Sequence, residues 1–352
     1  MRAMPPATMA ACPAAVDVFC GAGGLSYGLQ QAGITISAGV DMDPACRHPF
    51  EENVKAPFYE KDVSALSLEF VASLFPSGHP RVLAGCAPCQ PFSTYTRGRS
   101  THRWQLLDTF SEAVLASQPE IVTMENVPRL TSHTVFAKFL SCLDQAGYHH
   151  SHSVVRCADY GVPQTRSRLV LLASKLGDIQ LEPPTFAEAG SATVRSTIEH
   201  LDGLEAGETS TSDALHKSSG LSPRNLDRIR SSTPGGTWRD WDESLRSACH
   251  TRETGHTYPS VYGRMKWDHP APTITTQFHG FGNGRFGHPA QDRAISLREG
   301  ALLQTFPEEY SFMPEGATVA IGPIARLIGN AVPVKLGVAI GRSIARHLDE
   351  SL

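Results

Sequence analysis

The sequence predicts an α/β fold, and three observations predict it. Short apolar runs alternate with amphipathic segments through the first half of the chain. The first of those runs leads into a glycine-rich turn and then a helical pattern. After Lys175 the texture changes to a long stretch rich in Ser, Thr, Gly, Pro, Arg and Trp, before regular periodicity returns near Ser296. A chain of 352 residues has room for two domains, each with a core.

Taken in order, residues 15–19 read as a buried strand, and Leu25, Leu29 and Ala32 recur at helical spacing until Gly33 supplies a stop. Residues 82–84 and 121–124 are further strands. Between them Leu106, Leu107, Phe110, Val114 and Leu115 mark one face of a helix. Another helix spans 135–146 and ends at Gly147; residues 169–173 close the series as a strand. The stretch from 177 to about 291 reads as a second, smaller domain or a large insertion. Ser296-Leu297-Arg298-Glu299 is a capping box opening a helix through Leu303. A final helix covers 333–347, with Val334, Val338 and Ile344 on its apolar side. Residues 1–13 read as a flexible tail.

Hydrophobic content of 41% and charged content of 19% fit an ordinary soluble protein. A net charge of −4 neither favours nor excludes nucleic acid, because basic residues can cluster on one face. Eight irregularly spaced cysteines suggest free thiols in a reducing compartment rather than a disulfide framework. With neither a signal-like start nor an apolar run of spanning length, the expected location is cytoplasmic.

Four segments carry chemistry. Phe19-Cys20-Gly21-Ala22-Gly23-Gly24 joins strand to helix, where glycines admit a ligand close to the backbone and a helix N-terminus favours an anionic group. Asp41, twenty residues beyond Gly21, is placed to bond a ribose hydroxyl. That pair alone would equally suit NAD and an oxidoreductase, although G-x-G-G departs from G-x-G-x-x-G. Cys86-Ala87-Pro88-Cys89-Gln90-Pro91-Phe92-Ser93 presents Cys89 on a turn after an apolar run, a candidate nucleophile. The C-x-x-C spacing also admits a redox pair or half a zinc site, but the chain is too long for the first and has no second pair for the other. Glu125-Asn126-Val127 ends a strand, which should bring its carboxyl to the sheet edge that carries Cys89. In Gln164-Thr165-Arg166-Ser167-Arg168 the alternation would put Gln164 and both arginines on one face of a strand. The loop Arg97-Gly98-Arg99-Ser100-Thr101-His102-Arg103, free of acids, suits either phosphate contact or plain solvation.

In this order and spacing the four segments resemble the C5-cytosine DNA methyltransferase family of bacterial type, over nearly the whole chain. The resemblance implies a Rossmann-like sheet that binds S-adenosylmethionine, formed by 14–178 with 326–352. It also implies a smaller, irregular target-recognition domain, 179–325, inserted before the C-terminal helix. It implies that Cys89 adds to carbon 6 of a flipped-out cytosine, that Glu125 partners N3, and that Arg166 and Arg168 support the base and the thiolate. Carbon 5 then becomes nucleophilic enough to accept a methyl group, its proton leaves, and elimination frees Cys89. The cofactor would lie against Phe19, Gly21, Ala22, Gly24, Asp41, Met42, Asp62, Pro88, Asn330 and Val332. Asn330 and Val332 belong to Gly329-Asn330-Ala331-Val332-Pro333, which matches the family's last motif.

DNA contacts are expected from Gln90, Ser93, Arg97, Arg99, Gln164, Arg239, Arg264 and Arg285. Residues 217–252 hold seven basic against four acidic residues, interleaved with Trp238 and Trp241. The family usually has glycine where Cys86 stands, a departure that could crowd the loop. No metal is implied. The implied partner is duplex DNA containing a specific cytosine site, met by a monomer that could be paired with a restriction endonuclease. A transfer-RNA methyltransferase is the nearest rival; its usual Cys-Phe-Thr signature is absent.

Overall fold

The strands form because their residues are apolar on both faces. The sequence Ala-Ala-Val-Asp-Val of β1 (Ala14–Val18) is buried throughout. Such runs belong inside a parallel sheet covered on both sides. The structure is a computed structural model describing residues 12–87, 105–185, 187–188, 190, 192–252, 255 and 259–352. Helix α1 (Gly24–Gln31) follows β1. β2 (Thr35–Asp41), α2 (Arg47–Val54), β3 (Phe58–Glu60), α3 (Leu68–Ser73) and β4 (Arg81–Gly85) come next. α4 (Gln105–Ser117), β5 (Ile121–Asn126), α5 (Thr134–Gln145), β6 (His149–Arg156) and β7 (Ser167–Ser174) complete the first half. The seven strands are ordered β3-β2-β1-β4-β5-β7-β6. β7 runs antiparallel to both its neighbours, and the other pairings are parallel.

Because side chains alternate along a strand, each strand feeds two cores. Val16, Val18, Leu83, Val122, Leu169 and Leu171 pack under α4 and α5, against Phe110, Val114, Phe136 and Phe139. Ala15, Val82, Ala84, Ile121, Val170 and Leu172 face the other way, toward α1 and the C-terminal helices. After β7 the chain forms α6 (Val194–Ile198), α7 (Pro223–Arg230), α8 (Leu297–Leu303), α9 (Ile321–Asn330) and α10 (Val334–Ser351). α10 docks on α1 by close backbone approach: a Cβ on Gly28 would stand 2.5 Å from the Val334 carbonyl oxygen and 2.7 Å from Gly337 Cα.

The irregular second half is not wholly separate from the sheet. Ile179, Val194, Ile198, Leu215, Met265, Ile274, Phe278 and Leu303 join the same core as α1 and α10. The residues with a core of their own are fewer: Ile229, Trp238, Trp241, Phe281 and Ala294. Residues on both sides of positions 179 and 325 share that core, and a separate cluster lies between about 221 and 294. α8 opens with the capping box read in the sequence: Ser296 Oγ accepts from Glu299 N, and Glu299 Oε2 accepts from Ser296 N. Residues 321–351 are long and apolar enough in sum to cross a membrane. They are two helices broken at Ala331–Pro333, however, and 72% of that apolar window is buried inside the fold.

Candidate active site

At the C-terminal ends of β1, β2, β4 and β5 a cavity of about 360 Å³ opens. It is bounded by the loop after β1, the end of β2, Cys86 and Ala87 after β4, and Glu125 to Val127 at the end of β5. Arg166 and Arg168 and the α9–α10 junction complete its wall. Ligands of open α/β sheets bind at this edge.

The loop after β1 is wound tightly. Phe19 has φ 64°, and Gly21 and Gly23 also lie in the left-handed region. For a non-glycine residue this costs on the order of 1–2 kcal/mol, strain of the kind that collects at ligand sites. Asp41 Oδ2 accepts from Gly21 N and its Oδ1 from Asp43 N, each at 3.0 Å, so the end of β2 braces the turn. Nothing lies within 4 Å of where a Cβ on Gly21 would stand. Met42 is 66% exposed beside the cavity, and Asn330 and Val332 form part of its lining. Gly24 lies behind the lining, so close to the Val332 carbonyl oxygen that a Cβ would come within 2.3 Å. Asp62 is also outside the lining: it caps the turn after it, accepting from Ser64 N and Oγ, and is exposed.

Sequence reading passed over Asp17, the one acid inside the first apolar run. It is 1% exposed; Oδ2 accepts from Ser26 Oγ at 2.6 Å, and Oδ1 accepts nothing among the described residues. Burial pushes its carboxyl up to about 7, opposed by the Ser26 bond and reinforced by Asp41. A folded value above the unfolded one means the unfolded chain releases this proton first. Asp17 therefore costs nothing at low pH and lowers stability as pH rises from about 4 toward 7. Asp17→Asn should remove that loss. Its melting temperature relative to the natural protein should climb between about pH 5 and pH 8, and parallel curves would refute the assignment.

Glu125, 6% exposed, ends β5 and forms an ion pair with Arg168 at the start of β7, with Nε 2.8 Å from Oε1. The N–H does not aim at that oxygen, which accepts no hydrogen bond from the described residues. Asn126 ties the neighbouring loop down: its Nδ2 donates to the Ala87 carbonyl at 3.0 Å, and its Oδ1 accepts from Val127 N. Cys86, lining the same cavity, has its thiol pushed well up, first by burial and then by Glu125 and Asp17.

The Gln-x-Arg-x-Arg segment is not the single strand its alternation suggested, since β7 begins only at Ser167. Arg166 and Arg168 both reach the cavity. Arg166 also donates from Nη1 to the Ile274 carbonyl and from Nη2 to that of Ala331, joining three segments. Gln164, also read as a DNA contact, is fully buried. It donates to the Leu303 carbonyl and Gln304 Oε1 and accepts from Ile274 N. Arg264, likewise expected at DNA, is 5% exposed, binds the carbonyls of Ile229, His288 and Gln291 and pairs with Asp292. Buried polar side chains must be satisfied, and these two are satisfied chiefly by backbone, with Gln304 and Asp292 completing the sets. Arg239 and Arg285 are exposed, the former over the Trp238 ring. Pro88, Cys89, Gln90, Ser93, Arg97 and Arg99 lie outside the described residues.

A family profile for C-5 cytosine-specific DNA methylase matches residues 14–346. The chain belongs to that family. It is 50% identical over 340 residues to the type II methylase M.HgiDII of Herpetosiphon aurantiacus, covering 96% of both chains. Identity is 32% to the type II methyltransferase M1.BsuMI of Bacillus subtilis, over 91% of this chain and 77% of the other. Its fold is similar to a structure described as a DNA modification methyltransferase encoded within an Escherichia coli prophage. That match has a TM-score of 0.74 at 22% identity, over 96% of this chain and 99% of the other. The Dnmt2 methyltransferase of S. pombe superposes with a TM-score of 0.59 at 17% identity, over 96% and 99%. The chain is thus a DNA cytosine-5 methyltransferase on a Rossmann-like methyltransferase sheet, and dependence on S-adenosylmethionine comes with the family.

Proposed function

We propose that this methyltransferase modifies carbon 5 of a cytosine flipped out of a specific duplex site, with Cys89 as the transient covalent nucleophile and Glu125 as the partner of ring N3. The observation that carries the reading is the buried Glu125 oxygen. Glu125 lines the cavity, Arg168 pairs with its carboxyl, and its Oε1 accepts no hydrogen bond from the described residues. Cytosine cannot reach this recess while stacked, so the base must leave the duplex at a cost of about a few kcal/mol.

The donor end of the cavity fits a nucleoside carrying an amino acid. Phe19, Asp41 and Met42 would hold the adenosine, and Gly21, Ala22, Asn330 and Val332 the remainder. When bound, S-adenosylmethionine supplies an electrophilic methyl group. Glu125 holds the ring nitrogen, Arg168 orients Glu125, and Arg166 keeps the 271–275 segment against the α9–α10 junction. Arg239 and Arg285, exposed in the second half, are candidates for reading the duplex, together with Gln90, Ser93, Arg97 and Arg99. The protein acts as a monomer. The type II names of its relatives support a companion restriction endonuclease at the same site.

Incubation with methyl-labelled S-adenosylmethionine should label duplex DNA and leave transfer RNA blank; label in RNA alone would overturn the substrate. A duplex bearing 5-fluorocytosine at the mapped site should trap an adduct at Cys89. An adduct elsewhere, or none with turnover intact, would remove Cys89 from the reaction.

A further inference from the structure

Charge is unevenly spread along this acidic chain. From Asn126 to Ala158 the sequence holds Arg129, Lys138, Arg156 and four histidines against a single acid, Asp144, in a protein whose net charge is −4. Asp144 stands near the far end of α5, 3.1 Å from His150.

The fold gathers the block beside the active site. The turn Pro128–Ser132 follows Glu125 directly and packs on β7, and α5 packs on β6. The register pairs Arg156 with Ser167 at the end of the sheet that also carries Glu125 and Arg168. Arg156 therefore belongs to the sheet face of Leu169 and Leu171, the face covered by that turn and α5, and Arg129 sits on the turn itself.

Both arginines are exposed, and neither has a carboxylate or hydrogen-bond partner among the described residues. Among the described residues, other surface arginines of the catalytic half are neutralised: Arg47 by Glu51 and Glu60, Arg326 by Asp43, Arg342 by Glu188 and Arg346 by Glu182. Two guanidinium groups at the sheet edge on which the cavity opens, neither held in an ion pair among the described residues, are free to meet phosphate without first breaking one.

We propose that Arg129 and Arg156 grip the phosphates of the target duplex beside the extruded base, an anchor indifferent to sequence. This rests on the duplex reading above. The guanidinium groups displace condensed cations from the backbone, so each contact adds about 0.9 to the steepness with which log Kd depends on log salt.

The test is a salt titration of binding to a short random-sequence duplex. Arg129→Gln with Arg156→Gln should flatten the slope by close to two contacts and weaken binding at moderate salt. Methylation at saturating DNA and low salt should persist, and the melting temperature should stay unchanged. Arg342→Gln with Arg346→Gln, on α10, should leave the slope as in the natural protein. An unaltered slope in the Arg129/Arg156 variant overturns the anchor while leaving the enzyme's identity standing. Failure of the natural protein to bind or methylate any duplex would bring down the substrate reading and the anchor together.

Discussion

Glu125→Gln is expected to slow methyl transfer by about 10²–10⁴-fold while leaving DNA affinity nearly unchanged, the size of effect typical of a positioned proton-transfer group. The amide keeps the shape of the side chain at the end of β5 but cannot play the part of the acid toward ring N3. Arg168→Ala should give a milder catalytic loss with a stability loss beside it, because it strips a buried acid of the cation 2.8 Å away. Single-turnover methylation and thermal melting separate the two. Glu125→Gln turning over at the natural rate would take Glu125 out of the chemistry.

The second large effect is structural. Arg293, fully buried, grips Glu299 with Nη1 to Oε2 at 2.7 Å and Nη2 to Oε1 at 2.8 Å. Burial alone would raise the Glu299 carboxyl, but Arg293 outweighs it and holds the value below normal. His288, 3.6 Å away, cannot replace the arginine: burial drives its imidazole down to about 4, so it is neutral near pH 7. Arg293→Ala should therefore cost about 3–5 kcal/mol, the usual result of orphaning one member of a buried pair. Urea denaturation checks this. Arg293→Met with Glu299→Gln should recover part of the loss, and a single variant as stable as the natural protein would contradict the account.

Much of the sheet was legible, because strands buried on both faces are unbroken apolar runs and the helices between them carry a clear period. β6 was not: His-His-Ser-His-Ser-Val-Val-Arg lies on the sheet edge, half-exposed, and has no apolar run to betray it. The cavity's position was legible where an acid stands at a strand end, as Glu125 and Asp41 do, and both line it. Other polar residues have partners that no segment pattern reports. Gln164 and Arg264 have the composition of DNA ligands, yet their partners are carbonyls and amides more than a hundred residues away in one case and 24 to 35 in the other. Pattern within a segment cannot report a partner that only folding brings near. Asp17 shows the converse, since an acid inside an apolar strand could have been noticed as a misfit.

The docking of α10 on α1 has a consequence for how the protein comes into being. The glycine turn after β1 precedes Asn330 by some three hundred residues, yet the cavity beside it is lined by Asn330 and Val332, and Tyr310 donates to the Ala22 carbonyl across 288 residues. A chain that stops short of Asn330 thus carries the glycine turn without the segment that completes the cavity wall. Host DNA would then be marked only by molecules whose translation has run past that point.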